Sequence, residues 1–379
     1  MIYLDNAATT MHKPREVVDA VCASMTSFGG PGRGSHKAAL DASMAVFGAR
    51  QAVSDLLDAW GPASVSFALN ATMALNIAID GLFADGGCAL TTAASHNSVL
   101  RPLFRARDER GCEVRVAPIA PDGALDWEAY ERGLEGVSLV VATHASNVTG
   151  DVYDIERMAR AAHDAGALFV LDAAQTAGAL PLSVKDCGAD VVCFTGHKSL
   201  YGPQGTGGLA VRGGLEVAPL VEGGSGVHSF DERHPRFMPE ALEAGTANAH
   251  GLAGLAAGCG WLAARGLPDV RAHIGGLVER FLAGVSEIDG VKILGGGSGA
   301  RCGIVAVNLG DVDSGLVADE LSQRFDICVR PGAHCAPLMH RALGTECQGV
   351  VRFSFGLMNE PADVDAALDA LRRLSTEMG

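Results

Sequence analysis

Length, composition and charge exclude several classes of protein. The chain has 379 residues, 48% of them hydrophobic, which argues against disorder and leaves room for two domains. Its formal net charge is -15, and this acidity disfavours nucleic acid and anionic membrane surfaces as partners.

The cysteines and the N-terminus indicate a reducing compartment. The ten cysteines form no CxxC pair and no zinc-type Cys/His spacing, so we predict no metal site. Most lie in apolar strings, which suits buried thiols better than disulfides. MIYLDNAATT lacks the regions of a signal peptide, and the longest charge-poor apolar run, 251–264, is too short to span a bilayer. We therefore expect a cytoplasmic protein with no membrane segment.

Short apolar runs alternate with helical segments up to about residue 250. The strand-like runs are SVSFALNAT, CALTTAASHN, EVRVAPI, LVVATHASN, LFVLDAAQ, VVCFTGHKS and GGLAVR. The helical segments between them are ATMALNIAIDGLFA, VLRPLFRARDERG and IERMARAAHDAG. This alternation predicts an α/β fold with a mainly parallel, seven-stranded sheet covered by helices on both faces.

From about residue 251 the pattern changes to a mixture of helices and strands. Helices are predicted from Gly251, over 270–288, over 314–325 and over 361–378, with strands in GIVAVNL and VVRFSFG and a loop at 295–299. We expect a large α/β domain at 16–250. Residues 1–15 together with 251–379 are expected to form a smaller α+β domain.

Asp172 and Lys198 follow two successive predicted strands. Ligands of open α/β sheets bind at the carboxyl ends of the strands. A lysine that can form an imine and a carboxylate that keeps a pyridine nitrogen protonated are what a pyridoxal 5'-phosphate (PLP) site needs. The alternative is that Asp172 caps a helix and Lys198 is a surface lysine.

Two further groups carry possible chemistry. Asn70-Ala71-Thr72 lies where a strand turns into a helix, where N–H groups and a hydroxyl bind phosphate or simply cap the helix. Thr195 and His197 lie just before Lys198 and are further candidates for binding phosphate. No Walker A motif or strand-linked GxGxxG occurs, which argues against nucleotide cofactors.

The segment RPGAHCA at 330–336 places Cys335 beside His334, with Arg352 beyond it. A cysteine on a glycine-containing loop beside a histidine can have a stabilised thiolate. An arginine can hold a substrate carboxylate through two hydrogen bonds. The alternative is that Cys335 is one more buried thiol.

These strings together resemble the cysteine desulfurases and selenocysteine lyases of the class-V aminotransferase fold. The strings that occur in the family's order are YLDNAATT, SHN, SNVTG, LDAAQ, TGHKSLYGPQGTG, EAGTAN and RPGAHCAPLM. The short cysteine loop resembles the type II, SUF-like branch. The resemblance implies the PLP-dependent transferase fold type I and sulfur mobilisation, for example for iron–sulfur cluster biogenesis.

The resemblance also assigns cofactor contacts. Lys198 matches the Schiff-base lysine, Asp172 the partner of the pyridine nitrogen, and His96 the imidazole stacked on the ring. Lys198 and His96 are also expected to be catalytic, Lys198 as the carrier of the α-proton and His96 as a proton shuttle. The matches to the ring's other surroundings and to its phosphate are Asn147, Gln175, Ala71, Thr72, Thr195 and His197. Thr246 matches a phosphate ligand from the second subunit, which implies a homodimer.

On the substrate side, Arg352 matches the arginine that clamps the carboxylate of L-cysteine, with Arg330 nearby. Cys335 matches the nucleophile that takes the sulfur as a persulfide for an acceptor protein. Asn6 and His36 lie in segments that match the substrate side; the alternatives are an entrance turn for Asn6 and a dimer-bridging loop for His36.

Two positions depart from the family pattern and leave the substrate open. Met73 follows Thr72 where many members have Glu, and Ser95 precedes His96 where an acidic residue is common. The alternatives to a desulfurase are a selenocysteine lyase, another PLP enzyme of this fold (a transaminase, epimerase or kynureninase-like lyase), and a non-catalytic sulfur-relay partner.

Overall fold

The computed structural model describes residues 1–32 and 34–378. Its strands are β1 (Ile2–Tyr3), β2 (Val65–Ala68), β3 (Cys88–Thr92), β4 (Glu113–Ala117), β5 (Leu139–Thr143), β6 (Leu168–Asp172), β7 (Val191–Thr195), β8 (Gly207–Val211), β9 (Val291–Leu294), β10 (Ile304–Leu309), β11 (Ile327–Cys328) and β12 (Val351–Ser354). Its helices are α1 (Arg15–Ser27), α2 (Lys37–Leu56), α3 (Ala71–Leu82), α4 (Asn97–Arg110), α5 (Trp127–Gly133), α6 (Ile155–Asp164), α7 (Ala249–Ala263), α8 (Leu267–Val285), α9 (Ser314–Phe325), α10 (Pro337–Leu343) and α11 (Pro361–Met378).

The central sheet has seven strands in the order β2-β8-β7-β6-β5-β3-β4. The pairs from β7 to β4 are parallel, whereas β8 is antiparallel to both of its neighbours. Strands β5, β7 and β8 consist entirely of buried residues, as expected for a sheet with helices on both faces. The predicted mainly parallel, seven-stranded sheet is confirmed.

A second, smaller core lies in the C-terminal part of the chain. An antiparallel sheet of order β12-β10-β9 packs with α8, α9 and α11, and β1 pairs in parallel with β11. Leu4 belongs to this core, so the N-terminal residues join the C-terminal unit. Helix α7 packs mainly on α1 and α2 instead. We therefore propose that the large unit extends through α7 and that the small unit begins near residue 264, rather than at the predicted 251.

The sequence predictions contain no helix between residues 15 and 56, where α1 and α2 lie. Half of the buried positions on α2 are alanines, Ala39, Ala42 and Ala49, while Leu40 and Phe47 are more than half exposed. Apolar residues on both faces blur the helical periodicity that would otherwise mark the segment. No helix in the described part of the chain is both long and apolar enough to cross a membrane.

Candidate active site

The carboxyl ends of β5, β6 and β7 open into a pocket of about 180 Å³. The helices α3 and α4 begin at its rim. Its lining residues are Asn70, Ala71, Thr72, His96, Ser98, Thr143, Ala145, Asn147, Asp172, Ala174, Gln175, Thr195, His197 and Lys198. Every cofactor residue predicted from the sequence lies here except Thr246.

Asp172 and Lys198 share the floor of this pocket. Asp172 is buried, and its Oδ1 accepts a hydrogen bond of 3.0 Å from the Ala174 N–H. Burial raises the pKa of Asp172, while burial lowers the pKa of Lys198 to about 8, against the opposing attraction of Asp172. Within the described residues, the Lys198 amine makes no hydrogen bond. An amine that loses its proton near neutral pH is the form that attacks a carbonyl.

His96 has a fixed ring orientation. It caps α4, and its Nδ1 accepts a 3.0 Å hydrogen bond from the Ser98 N–H. Burial, followed by the positive charge of Lys198, lowers the pKa of His96 to about 4. The imidazole is therefore neutral, with its proton on Nε2, and offers an uncharged face to the pocket.

The structure shows what surrounds the two positions that depart from the family pattern. Ser95 is buried and its hydroxyl pairs with the Thr91 hydroxyl at 2.8 Å, so a neutral side chain precedes His96. The Met73 N–H donates to Asn70 Oδ1, and the Met73 side chain lies in an apolar cleft on the other side of the α3 N-terminus.

The opposite end of the pocket suits a phosphate. Asn70 caps α3, which leaves the N–H groups of Ala71 and Thr72 as the free first donors of the helix. The Thr195 hydroxyl is buried without a hydrogen-bond partner among the described residues. Burial lowers the pKa of His197 to about 4, and its Nδ1 lies 3.1 Å from the Thr9 hydroxyl.

These residues fit PLP. A phosphate would use the α3 N-terminus and the orphaned Thr195 hydroxyl, and Asp172 would face a protonated ring nitrogen. The buried Asn147 Oδ1 is a second orphaned group in the pocket wall. An unpaired buried polar atom costs free energy, so two of them in one cavity indicate a polar ligand.

The loop 330–336 of the small unit is hydrogen-bonded to the rim of the pocket. Asn147 Nδ2 donates to the His334 carbonyl at 2.7 Å, and the Asn97 N–H donates to the Cys335 carbonyl at 2.8 Å. His334 and Cys335 both have left-handed backbones, with φ of 51° and 56°. The loop is thus held by its carbonyls beside His96, while the Cys335 side chain stays exposed.

The two arginines differ in their availability. Arg352 is 1% exposed, and it donates to the Asn147 carbonyl at 2.9 Å and to Asp5 Oδ1 at 2.7 Å. Its Nε has no partner among the described residues. Arg330 pairs with Arg352 through the backbone, and its guanidinium makes no hydrogen bond to any described side chain or carbonyl. Of the two guanidinium groups, that of Arg330 therefore has more of its donors free.

Six predicted site residues do not line this pocket: Arg330, Cys335 and Arg352, which were described above, and Asn6, His36 and Thr246. Asn6 Nδ2 donates to the Ser354 carbonyl at 2.9 Å and to Asn359 Oδ1 at 3.0 Å. His36 is exposed and caps α2 through Nδ1. Thr246 is exposed and lines the apolar cleft around Met73.

The sequence reasoning missed several residues that contact the pocket or its arginine: Ser98, Thr143, Ala145, Ala174 and Asp5. Thr143 and Ala145 end a predicted strand, and this position was a usable signal. Nothing in the local sequence marked Asp5 as the partner of Arg352, because 346 residues lie between them in the chain.

The chain is similar to known proteins over its whole length. The family model of class-V aminotransferases matches residues 2–367. A probable cysteine desulfurase of Methanothermobacter thermautotrophicus is 34% identical over 99% of this chain and 94% of its own. The apo structure of a cysteine desulfurase from Thermococcus onnurineus has a TM-score of 0.94 at 32% identity, covering 100% of this chain and 95% of that one. The crystal structure of the cysteine desulfurase CsdA from Escherichia coli has a TM-score of 0.88 at 28% identity, covering 100% of this chain and 95% of that one.

Proposed function

Since the chain belongs to the class-V aminotransferase family and acts as a PLP-dependent cysteine desulfurase, we propose that Cys335 is the residue that takes sulfur from L-cysteine. One observation carries this assignment. The backbone on both sides of the exposed Cys335 thiol is hydrogen-bonded to the pocket wall, through the His334 and Cys335 carbonyls. Of the other nine cysteines, all within the described residues, only Cys22 and Cys347 are exposed, and neither is next to a residue that lines the pocket.

Lys198, Asp172, His96 and the α3 N-terminus would hold PLP, with Thr195 and His197 at the phosphate end. PLP, when bound, supplies an electron sink. Arg330, with the free Nε of Arg352, would orient the carboxylate of cysteine. The Lys198 amine, with its pKa near 8, would take the proton from the α-carbon and deliver one to the β-carbon.

The sulfur step then balances without an added oxidant. The Cys335 thiolate attacks the sulfur of cysteine, and an S–S bond forms as the bond between that sulfur and the β-carbon breaks. The electron pair of the broken bond stays with the β-carbon, which gains a proton. Cysteine and the Cys335 thiol thus become alanine and a Cys335 persulfide: the two sulfur atoms together lose two electrons and the β-carbon gains two.

The test is to incubate the enzyme with cysteine and, separately, with selenocysteine, and to measure alanine and the persulfide of each thiol. Cys335→Ser is expected to abolish the persulfide while the PLP absorbance remains. Cys347→Ser removes another exposed thiol from the same unit and is expected to change neither. Undiminished desulfuration of cysteine by Cys335→Ser would refute the assignment. Turnover of selenocysteine alone would favour a selenocysteine lyase.

The active form is proposed to be a homodimer in which Thr246 faces the second subunit's phosphate site. Leu40, Met44 and Phe47 form an exposed apolar stripe on α2, at 52%, 67% and 53% exposure. Arg50, one turn further on, is ion-paired with Glu243, which links this stripe to the segment of Thr246. A second copy covering both would bury apolar area that a monomer leaves in water.

Sedimentation and PLP titration test this dimer. Phe47→Glu is expected to give monomers that bind PLP less tightly, because each site loses the partner's Thr246. Leu316→Glu introduces the same charge at an exposed position of α9, at 59% exposure, and is expected to leave the dimer intact. A fully dimeric Phe47→Glu protein would exclude this surface.

The persulfide requires an acceptor, which we propose to be a protein that reaches the exposed Cys335, for example in iron–sulfur cluster biogenesis. The ten free thiols in the structure support a cytoplasmic location, which stays a prediction. Fractionation of cells with an antibody to the protein would test the location.

A further inference from the structure

Asp151 is a fully buried carboxylate that lies outside the pocket, at the contact between the two units. It ends the loop 146–151, which follows β5 of the large sheet. Its Oδ1 accepts hydrogen bonds of 2.9 Å from the Gly296 N–H and from the Ser298 hydroxyl. Both donors belong to the glycine-rich loop after β9 of the small unit, so this carboxylate joins the two units.

Arg301 makes the reciprocal connection. Its Nη1 donates to the Thr149 carbonyl at 2.7 Å, and its Nη2 donates to the Leu294 carbonyl at 3.0 Å. Burial lowers the pKa of Arg301, and the charge of Asp151 opposes that shift. Backbone hydrogen bonds from Val152 to Ala300 and from Cys302 to Gly150 run beside these contacts. The far end of the loop 146–151 is therefore tied to the small unit by side chains and backbone together.

The near end of the same loop carries Asn147. Its side chain holds the His334 carbonyl at 2.7 Å, and its own carbonyl accepts from Arg352 at 2.9 Å. The loop 146–151 thus lies between the Asp151 contact and two elements of the active site: the loop 330–336, which carries Cys335, and the buried guanidinium of Arg352. A displacement at Asp151 would reach both elements through Asn147.

The space around Asp151 is closely shaped. Asp151 Oδ2 has no hydrogen-bond partner among the described residues, and a Cβ on Gly123 or Gly295 would collide with it. Asparagine could reproduce the Oδ1 contacts, so these contacts alone do not require a buried negative charge. The charge is matched by the neighbouring Arg301, and buried charges persist where a partner compensates them.

We propose that Asp151 and Arg301 form a latch between the two units that positions Asn147, and through it Cys335 and Arg352, for sulfur transfer. Both are positioning residues, because neither lines the pocket. The inference rests on the proposed role of Cys335 and deepens it.

The test is a double-mutant cycle in the PLP-loaded enzyme. Asp151→Ala is expected to lower kcat for alanine formation by about ten- to a hundredfold, the effect of a small misplacement remote from the chemistry. PLP absorbance and affinity are expected to persist. Because Asp151 acts through Asn147, Asp151→Ala combined with Asn147→Ala should be no slower than Asn147→Ala alone. Independent, multiplying losses would overturn the latch.

A second readout follows the thiol itself. In a Cys22→Ser/Cys347→Ser background, Asp151→Ala is expected to change the alkylation rate of Cys335 by iodoacetamide. Asp365→Ala, which breaks an exposed ion pair with Arg280 in the small unit, is the matched control and should change neither kcat nor this rate. An unchanged Cys335 alkylation rate in Asp151→Ala would overturn the latch.

Two milder variants cover the case in which Asp151→Ala fails to fold. Asp151→Asn removes the charge and Ser298→Ala removes one hydrogen bond, and each is expected to lower kcat by about two- to tenfold. Full activity in both would overturn the proposal. If the wild-type enzyme forms no persulfide on Cys335, the proposed function fails; if it forms one and Asp151→Ala is equally fast, only the latch fails.

Discussion

The floor of the pocket and the wall that carries the thiol are built in different ways. The floor, with Asp172, Thr195 and Lys198, comes from consecutive strand ends of one sheet. The thiol wall, with Arg330, Cys335 and Arg352, comes from the small unit and is held by hydrogen bonds to Asn97 and Asn147 of the large one. The floor is therefore rigid within one unit, whereas the thiol wall depends on how two units meet.

The largest expected effect comes from the floor. Lys198→Ala should lower the rate of alanine formation by about 100- to 10,000-fold, because the proton carrier at the α-carbon is lost. Borohydride should no longer fix PLP to the chain. The alkylation rate of Cys335 in the cofactor-free protein should stay as in the wild type, since the thiol wall is held elsewhere. A changed alkylation rate of Cys335 would mean that the thiol wall depends on the floor of the pocket.

On the thiol wall, Arg330→Ala should raise KM for cysteine by about ten- to a hundredfold, the loss of one or two charge-assisted hydrogen bonds. PLP absorbance and thermal stability should be unchanged, because this guanidinium has no partner among the described residues. Arg341→Ala, which removes an exposed arginine paired with Glu346, is the control. An unchanged KM for cysteine would mean that Arg352 alone binds the carboxylate of the substrate.

Asp5 tests the buried pair beneath that wall. Asp5→Ala leaves the guanidinium of Arg352, 1% exposed, without its carboxylate. Removing one partner of a buried pair costs about 3–5 kcal/mol; because Asp5 itself is partly exposed, we expect the low end, about 3 kcal/mol, in urea unfolding. Asp365→Ala should cost about 1 kcal/mol or less. Equal losses would mean that Arg352 is solvated in solution.

The smallest expected change, counted per pH unit, is in the pH dependence of stability. Burial lowers the pKa of His334 to about 3 from its ordinary 6.5. Between these values the unfolded chain binds a proton that the folded chain does not, so stability falls as the pH drops from 6.5 towards 3. One such group contributes about 1.4 kcal/mol per pH unit. His334→Asn should reduce the slope of unfolding free energy against pH by about that amount; an unchanged slope would show that His334 titrates normally.

The central sheet and the floor of the pocket could be predicted from local sequence patterns. Continuous apolar strands ending in Asp172 and Thr195, with Lys198 just beyond, predict a parallel sheet and a site at its edge, because parallel strands bring their carboxyl ends together. The helices over 314–325 and 361–378 also match α9 and α11. Helix α2 was not predicted, because it has buried alanines on one side and an exposed apolar stripe on another, which leaves no single periodic pattern.

The groups of the thiol wall, and which of them are free to bind a ligand, became clear only from the folded chain. The sequence ranked Arg352 above Arg330, but Asp5 and Asn147 occupy most of the Arg352 guanidinium. It also carried no sign that Asp151 and Arg301 meet, since 149 residues separate them. Contacts between distant loops depend on how two cores dock. Local periodicity does not encode that docking, whereas it does encode the strands of a single sheet.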